Sequence, residues 1–271
     1  MALSPLRSKA LHHGRSLSLP SESHPAMSQF DENLSRVRAS SEATCSSLSS
    51  MNARINDLKS LYDNIDDLLL LPQNQQIISQ EQILDDYISL LDACSKVREL
   101  ISLTKQDVRE FLSAVRRKDC NGIQACLTSR RKSKKVIQKS LKNLRSFKSQ
   151  RNTISLQKDI LKDAESVTLS LFESLLYYVM GTKVQEKKNG WSLVSKLMHS
   201  KKVSPQGEET YLNEFKKMDL FLQLSQENRV EELVNHLKEM ESSIQILEDA
   251  LELLFRQLIK TRVSLLNILN H

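Results

Sequence analysis

The sequence predicts an all-α fold: an elongated antiparallel bundle of long, heptad-patterned helices behind a disordered N-terminal tail. Three observations carry that prediction. The 271 residues include only 5 Gly and 5 Pro, and Pro5, Pro20 and Pro25 all precede Met27, so the remainder has almost no helix-breaking punctuation. Aromatic residues make up 5%, whereas Leu, Ser, Lys, Glu and Gln abound, a balance that suits helices better than strands. Finally, long stretches space their apolar residues by four and three in turn, the period that keeps one stripe on one side of a helix. The expected division is a tail over 1–27 and one helical domain over 28–271, long enough to bury a substantial core.

The first seam runs Phe30, Leu34, Val37, polar Ser41 and Thr44, then Leu48, Met51, Ile55, Leu58, Tyr62, Ile65 and Leu69. Its unbroken rhythm predicts one helix, capped at Ser28 with Asp31 three residues on and stopped by Pro72. Ser79 and Gln82 are placed to cap the second helix, with Ile78 stapling Ile83, and its seam continues from Ile83 through Tyr87, Cys94 and Thr104 to Val115. Asn121-Gly122 predicts the turn that follows. A third helix, about 123–149, carries Ile123, Leu127, Val136, Ile137, Leu141, Leu144 and Phe147. A fourth, about 153–180, is closed by Gly181.

After the polar run TKVQEKKNG, a short helix from Trp191 to His199 and a loop through Pro205 lead to a helix at about 208–223. Ser225 then caps the last helix, whose seam from Val230 to Ile268 is interrupted only by Thr261. Short turns between successive helices favour closing these seams within one chain, as a monomeric bundle; pairing between chains is the alternative.

Chemistry is hard to place on this chain. Phosphate-cradling glycine loops, the nucleophile elbow G-x-S-x-G and the zinc motif H-E-x-x-H are all absent from the sequence. His12, His13, His24, His199, His236 and His271 do not share a helix face, and Cys45, Cys94, Cys120 and Cys126 form no C-x-x-C pair. Adjacent acids such as Asp66-Asp67, Asp85-Asp86 and Glu231-Glu232 splay around a helix rather than converge. The expectation is therefore no catalytic residue, no cofactor and no metal. No apolar run reaches the ~18 residues of a membrane span; the nearest, Val167 to Met180, contains Glu173.

Charge is more informative. Between Asp119 and Asp159 there is no Asp or Glu, yet Arg130, Arg131, Lys132, Lys134, Lys135, Lys139, Lys142, Arg145, Lys148, Arg151 and Lys158 all fall there. Without those eleven the chain has 28 basic and 33 acidic residues, so its net charge of +6 resides in this one stretch. A helix with that charge on one side and apolar residues on the other suits an anionic membrane surface or an acidic protein; it lacks the interleaved aromatics of a nucleic-acid reader. The plain alternative is a solvated face leaning on acidic neighbours. Trp191, Leu193, Val194 and Leu197 form a second amphipathic segment, flanked by lysines, that fits either a lid on the bundle or a membrane interface.

The tail adds Arg15-Ser16-Leu17-Ser18-Leu19-Pro20, an R-S-x-S-x-P pattern. Arg15 suits a basophilic kinase, phosphorylated Ser18 would offer charge to an arginine cluster, and Pro20 would turn the chain away, the arrangement 14-3-3 proteins read. The acid-free stretch before Glu22 also has the composition of a transit peptide, although its leucines make no clear stripe. A cytoplasmic or peripheral-membrane location is expected, with the chloroplast as the alternative if the tail is cleaved.

RSLSLPSESHP at 15–25, LDACSKVREL at 91–100, WSLVSKLM at 191–198 and LIKTRVSLLNILNH at 258–271 together resemble the plant-specific family known as domain of unknown function 241, related to the BYPASS proteins. The resemblance covers nearly the whole chain. It implies a plant source and a link to root and shoot development, and supplies no catalytic residue. Some relatives are labelled chloroplastic.

Overall fold

The computed structural model describes residues 24–42, 47–71, 82–151, 160–182, 213–224 and 230–270, and among these it shows seven helices and no strand. They are α1 (Pro25–Glu42), α2 (Leu48–Leu69), α3 (Gln82–Arg116), α4 (Cys120–Arg151), α5 (Ile160–Met180), α6 (Glu214–Leu224) and α7 (Val230–Leu269). The all-α bundle expected from the spacing is the fold.

Two seams survive intact. On α3, Tyr87, Leu90, Cys94, Val97, Ile101, Thr104, Val108, Phe111 and Val115 are all buried, and on α7 the seam is buried from Leu233 to Leu265. Each such apolar side chain contributes roughly 1.5–3 kcal/mol relative to exposure. Their polar members are satisfied locally: Thr104 donates to the Leu100 carbonyl at 2.7 Å and Thr261 to that of Gln257 at 3.1 Å. The α7 helix lies along α2 and α3, while α5 sits at the centre against α1, α2, α3, α4 and α6. Its sequence explains the position, since buried residues such as Val167, Leu169, Leu171, Phe172 and Leu176 fall all around it. The stretch nearest to a membrane span is thus the core helix of the bundle.

The single helix expected from Ser28 to Pro72 is instead two. Pro25 takes the first position of α1, where its missing N–H costs nothing, and the His24 Nδ1 accepts the Ala26 N–H at 3.2 Å. Near the far end of α1, Ser40 and Ser41 donate to the carbonyls of Val37 and Arg38. Ser47 then starts α2 afresh, extended at φ −152° and ψ 158°, its side chain accepting the Ser50 N–H at 3.1 Å. Folding α1 back on α2 and α5 buries Phe30, Leu34 and Val37, which one continuous rod would leave exposed.

Asn121-Gly122 is likewise not the turn. The chain reverses at Arg117–Asp119, with Lys118 left-handed at φ 53°, and Asn121-Gly122 lies in the first turn of α4. Asp119 caps that turn, accepting the Gly122 N–H at 2.9 Å, and a Cβ on Gly122 would sit 2.5 Å from the Asp119 carboxylate. Close approach, not a turn, requires the glycine. Gly181 closes α5 as expected, at φ 75°.

Candidate functional site

The basic helix α4 has three different sides. Its inner side contributes Ile137, Leu141 and Leu144 to the core, with Phe147 half-buried beside them. Val136, expected on that side, is 40% exposed. The apolar stripe is occupied by the bundle and is not free to insert into a bilayer.

Arg130 is a correction to the sequence reading. Expected on the surface, it is 3% exposed. Its Nε lies 3.0 Å from Asp219 Oδ1 on α6, an Nη donates to the Val179 carbonyl at 2.6 Å, and the guanidinium lies over the Phe215 ring. Lys134 reaches the other oxygen of Asp219 at 2.5 Å. Gly181 allows this junction to close, because a Cβ there would meet the Asp219 carboxylate at 3.0 Å. On the same inner side Asp107 of α3 accepts from Ser129 at 2.7 Å and from Ser133 at 2.6 Å. These contacts are structural, since a buried carboxylate must be paired.

The second side is tied to α5: Arg145 pairs with Glu173 at 2.6 Å and lies over Tyr177, and Lys148 donates to the Ser170 hydroxyl at 2.7 Å. The third side faces solvent. Arg131, Lys135, Lys139 and Lys142, spaced by four, four and three, form one stripe about 17 Å long, with Lys132 at its edge. All five are exposed, and among the described residues none has a carboxylate within ion-pair distance. The expected acidic neighbours serve only the flanks of the helix. The side chain of Arg151 lies outside the described residues, as do Arg15, Ser16, Ser18, Pro20, Trp191, Leu193, Val194 and Leu197.

Cations elsewhere behave differently. Along the α3–α7 contact, Arg98 pairs with Glu252, Lys105 with Glu248, and Arg109 with Glu241 at 2.5 Å, an antiparallel ladder that the sequence reading missed. Its signal was present: basic positions flanking one seam and acidic positions flanking the other. The polar contacts in the core were missed for want of any local signal. Asp66 of α2 holds Gln257 at 2.9 Å and Lys260 at 3.0 Å, and Tyr62 meets Thr168 at 2.8 Å.

Among the described residues, no three His, Cys, Asp or Glu are placed to hold a metal ion. The cleft between Ile83, Tyr87, Leu90 and Leu161 has room for about 20 Å³, roughly one water molecule. Burial pushes the Cys94 thiol up to about 12, which leaves it protonated and unreactive. Among the described residues, no helix is long and apolar enough to cross a membrane.

Fold and face together define an all-helical protein with a preformed basic surface. The family model described as Protein BPS1 matches residues 54–268, so this chain belongs to the BPS1 (BYPASS1) family, the plant-specific family formerly numbered 241. The match begins within α2 and ends within α7, leaving α1 and the tail outside it. The family is tied to plant development. No curated protein and no solved structure matches the chain.

Proposed function

We propose that this protein is a non-enzymatic adaptor of plant development, held by charge at an anionic membrane surface through the outer face of α4. The observation that carries the reading is the stripe of Arg131, Lys135, Lys139 and Lys142 with Lys132, exposed and without carboxylate partners among the described residues. Four of the five are lysines, flexible point charges rather than planar forks, and they stand on a convex helix without a groove. Such a face suits a diffuse field of headgroups better than a registered peptide.

At about 1 kcal/mol per basic residue near the surface, five cations supply on the order of 5 kcal/mol, a sub-millimolar attachment. With the apolar side of α4 packed in the core, that attachment is electrostatic and sensitive to salt. Sedimentation with phosphatidylcholine vesicles, with and without phosphatidylserine, tests it. Binding that needs phosphatidylserine and disappears at high salt is expected; equal sedimentation with neutral vesicles would sink the idea.

An adaptor also needs protein contacts, and the tail motif Arg15-Ser16-Leu17-Ser18-Leu19-Pro20 is the sequence support for one. Phosphorylated Ser18 is proposed to dock 14-3-3 proteins. Peptides spanning 10–26 should capture 14-3-3 only when phosphorylated at Ser18, and equal capture by a Ser18→Ala peptide would remove this contact.

A further inference from the structure

We infer that Ser146 is a phosphorylation site for a basophilic serine/threonine kinase, and that phosphate at this position switches off the basic face of α4. The switching half rests on the anionic-surface reading above; the modification half stands on the geometry of the helix. Four residues beyond Lys142, Ser146 continues the stripe Arg131, Lys135, Lys139 and Lys142 at the same helical spacing.

The described hydroxyls of α4 differ in what they are free to do. Ser129 and Ser133 donate to Asp107, and Ser140 is buried. Thr128 is exposed, but it bonds back to the Gln124 carbonyl and no Lys or Arg precedes it within the helix. Ser146 is exposed, and among the described residues its hydroxyl has no hydrogen-bond partner. Basic residues stand on both sides of it, Lys142 and Arg145 before and Lys148 after, with apolar Phe147 next in sequence.

A kinase must draw such a site into an extended conformation, and the position near the end of α4 limits what must open. Opening from Arg145 onward breaks the Arg145–Glu173 pair, whose arginine is 56% exposed, and the part-buried Lys148–Ser170 hydrogen bond, and it lifts half-buried Phe147 from the edge of the core. The arginine of the ion pair is largely exposed, so that contact contributes little, and helix ends open locally. In the transfer itself the Ser146 oxygen bonds to the γ-phosphorus of ATP, the bond to the β–γ bridging oxygen breaks, ADP leaves, and the hydroxyl proton passes to the kinase's base.

The product carries nearly two negative charges one turn from Lys142, close enough for an ion pair on the helix surface. It also places negative charge near a helix C-terminus, where the helix dipole disfavours it. Both effects weaken the field the face presents to headgroups, and a cluster of cations released from a membrane by phosphorylation is a known electrostatic device.

The test uses the full chain with Ser16→Ala and Ser18→Ala, so that the tail does not compete for phosphate. This protein is treated with a basophilic kinase and ATP, the phosphate is mapped by peptide mass spectrometry, and sedimentation with phosphatidylserine-containing vesicles is measured. Modification at Ser146 is expected, with binding weakened about tenfold or more; adding Ser146→Ala should abolish both the modification and the loss. Phosphate found only at other residues would overturn the site. Phosphate at Ser146 with unchanged sedimentation would overturn the switch while leaving the docking reading standing. Unmodified protein that ignores phosphatidylserine would overturn the docking reading, and the switch with it.

Discussion

Two basic surfaces of this molecule invite comparison. Along α3, the cations Arg98, Lys105 and Arg109 each meet a glutamate of α7, and Lys105 also donates to Gln245 at 2.7 Å. Along the outer face of α4, five exposed cations meet no carboxylate among the described residues. The first arrangement fixes the register of two antiparallel helices. The second makes no ion pair among the described residues, and clustered like charge repels itself. A basic residue that the fold does not pair is available to a partner, and this separates the two surfaces.

Substitutions on the two helices should separate paired from unpaired cations. The largest effect belongs to the buried cation of α4: Arg130→Met leaves Asp219, 6% exposed, without its principal partner and should cost about 3–5 kcal/mol in denaturant unfolding. Adding Asp219→Leu should return most of that loss; a double variant as unstable as the single one would contradict the role given to the pair. Next comes the ladder. Glu248→Gln removes a half-buried pair and should cost about 1 kcal/mol in the same measurement. Arg109→Gln, at a side chain 55% exposed, should cost less than ~1 kcal/mol, and less again in high salt. Smallest is Lys139→Gln on the outer stripe, within ~0.5 kcal/mol of the parent protein. If that substitution destabilised the chain as much as Glu248→Gln, the outer face would be part of the fold after all.

Reactivity offers a parallel check. Burial holds the Cys94 thiol at about 12, while Cys120 is exposed. A thiol reagent at neutral pH should label Cys120 in the native protein and leave Cys94 untouched until it unfolds; rapid native labelling of Cys94 would mean the α3 seam is open.

The seams of α3 and α7 were legible in the sequence because a four-three spacing has one physical solution at that length, a buried stripe. The same rule misled at Ser41 and Thr44. Two separate helices can carry stripes that happen to be in phase, and the sign of the second start was the cap at Ser47, not the apolar rhythm. The basic face was legible as composition but not as geometry. Arg130 looked like its neighbours, since its carboxylate partner lies 89 residues away on α6. Lys134, Arg145 and Lys148 also find their partners on other helices, so only the structure separates the paired cations from the unpaired ones.

If α4 carries its outer charge for a partner and α3 carries its charge for the fold, neutralising the two faces has different consequences for vesicle binding. The decisive measurement is salt-titrated sedimentation with phosphatidylserine-containing vesicles, comparing a variant in which Arg131, Lys135, Lys139 and Lys142 are all changed to Gln with one in which Arg98 and Arg109 are. The α4 variant should stay folded and lose binding, with its salt dependence, while the α3 variant binds as the parent does. Equal binding by the two variants would contradict that assignment.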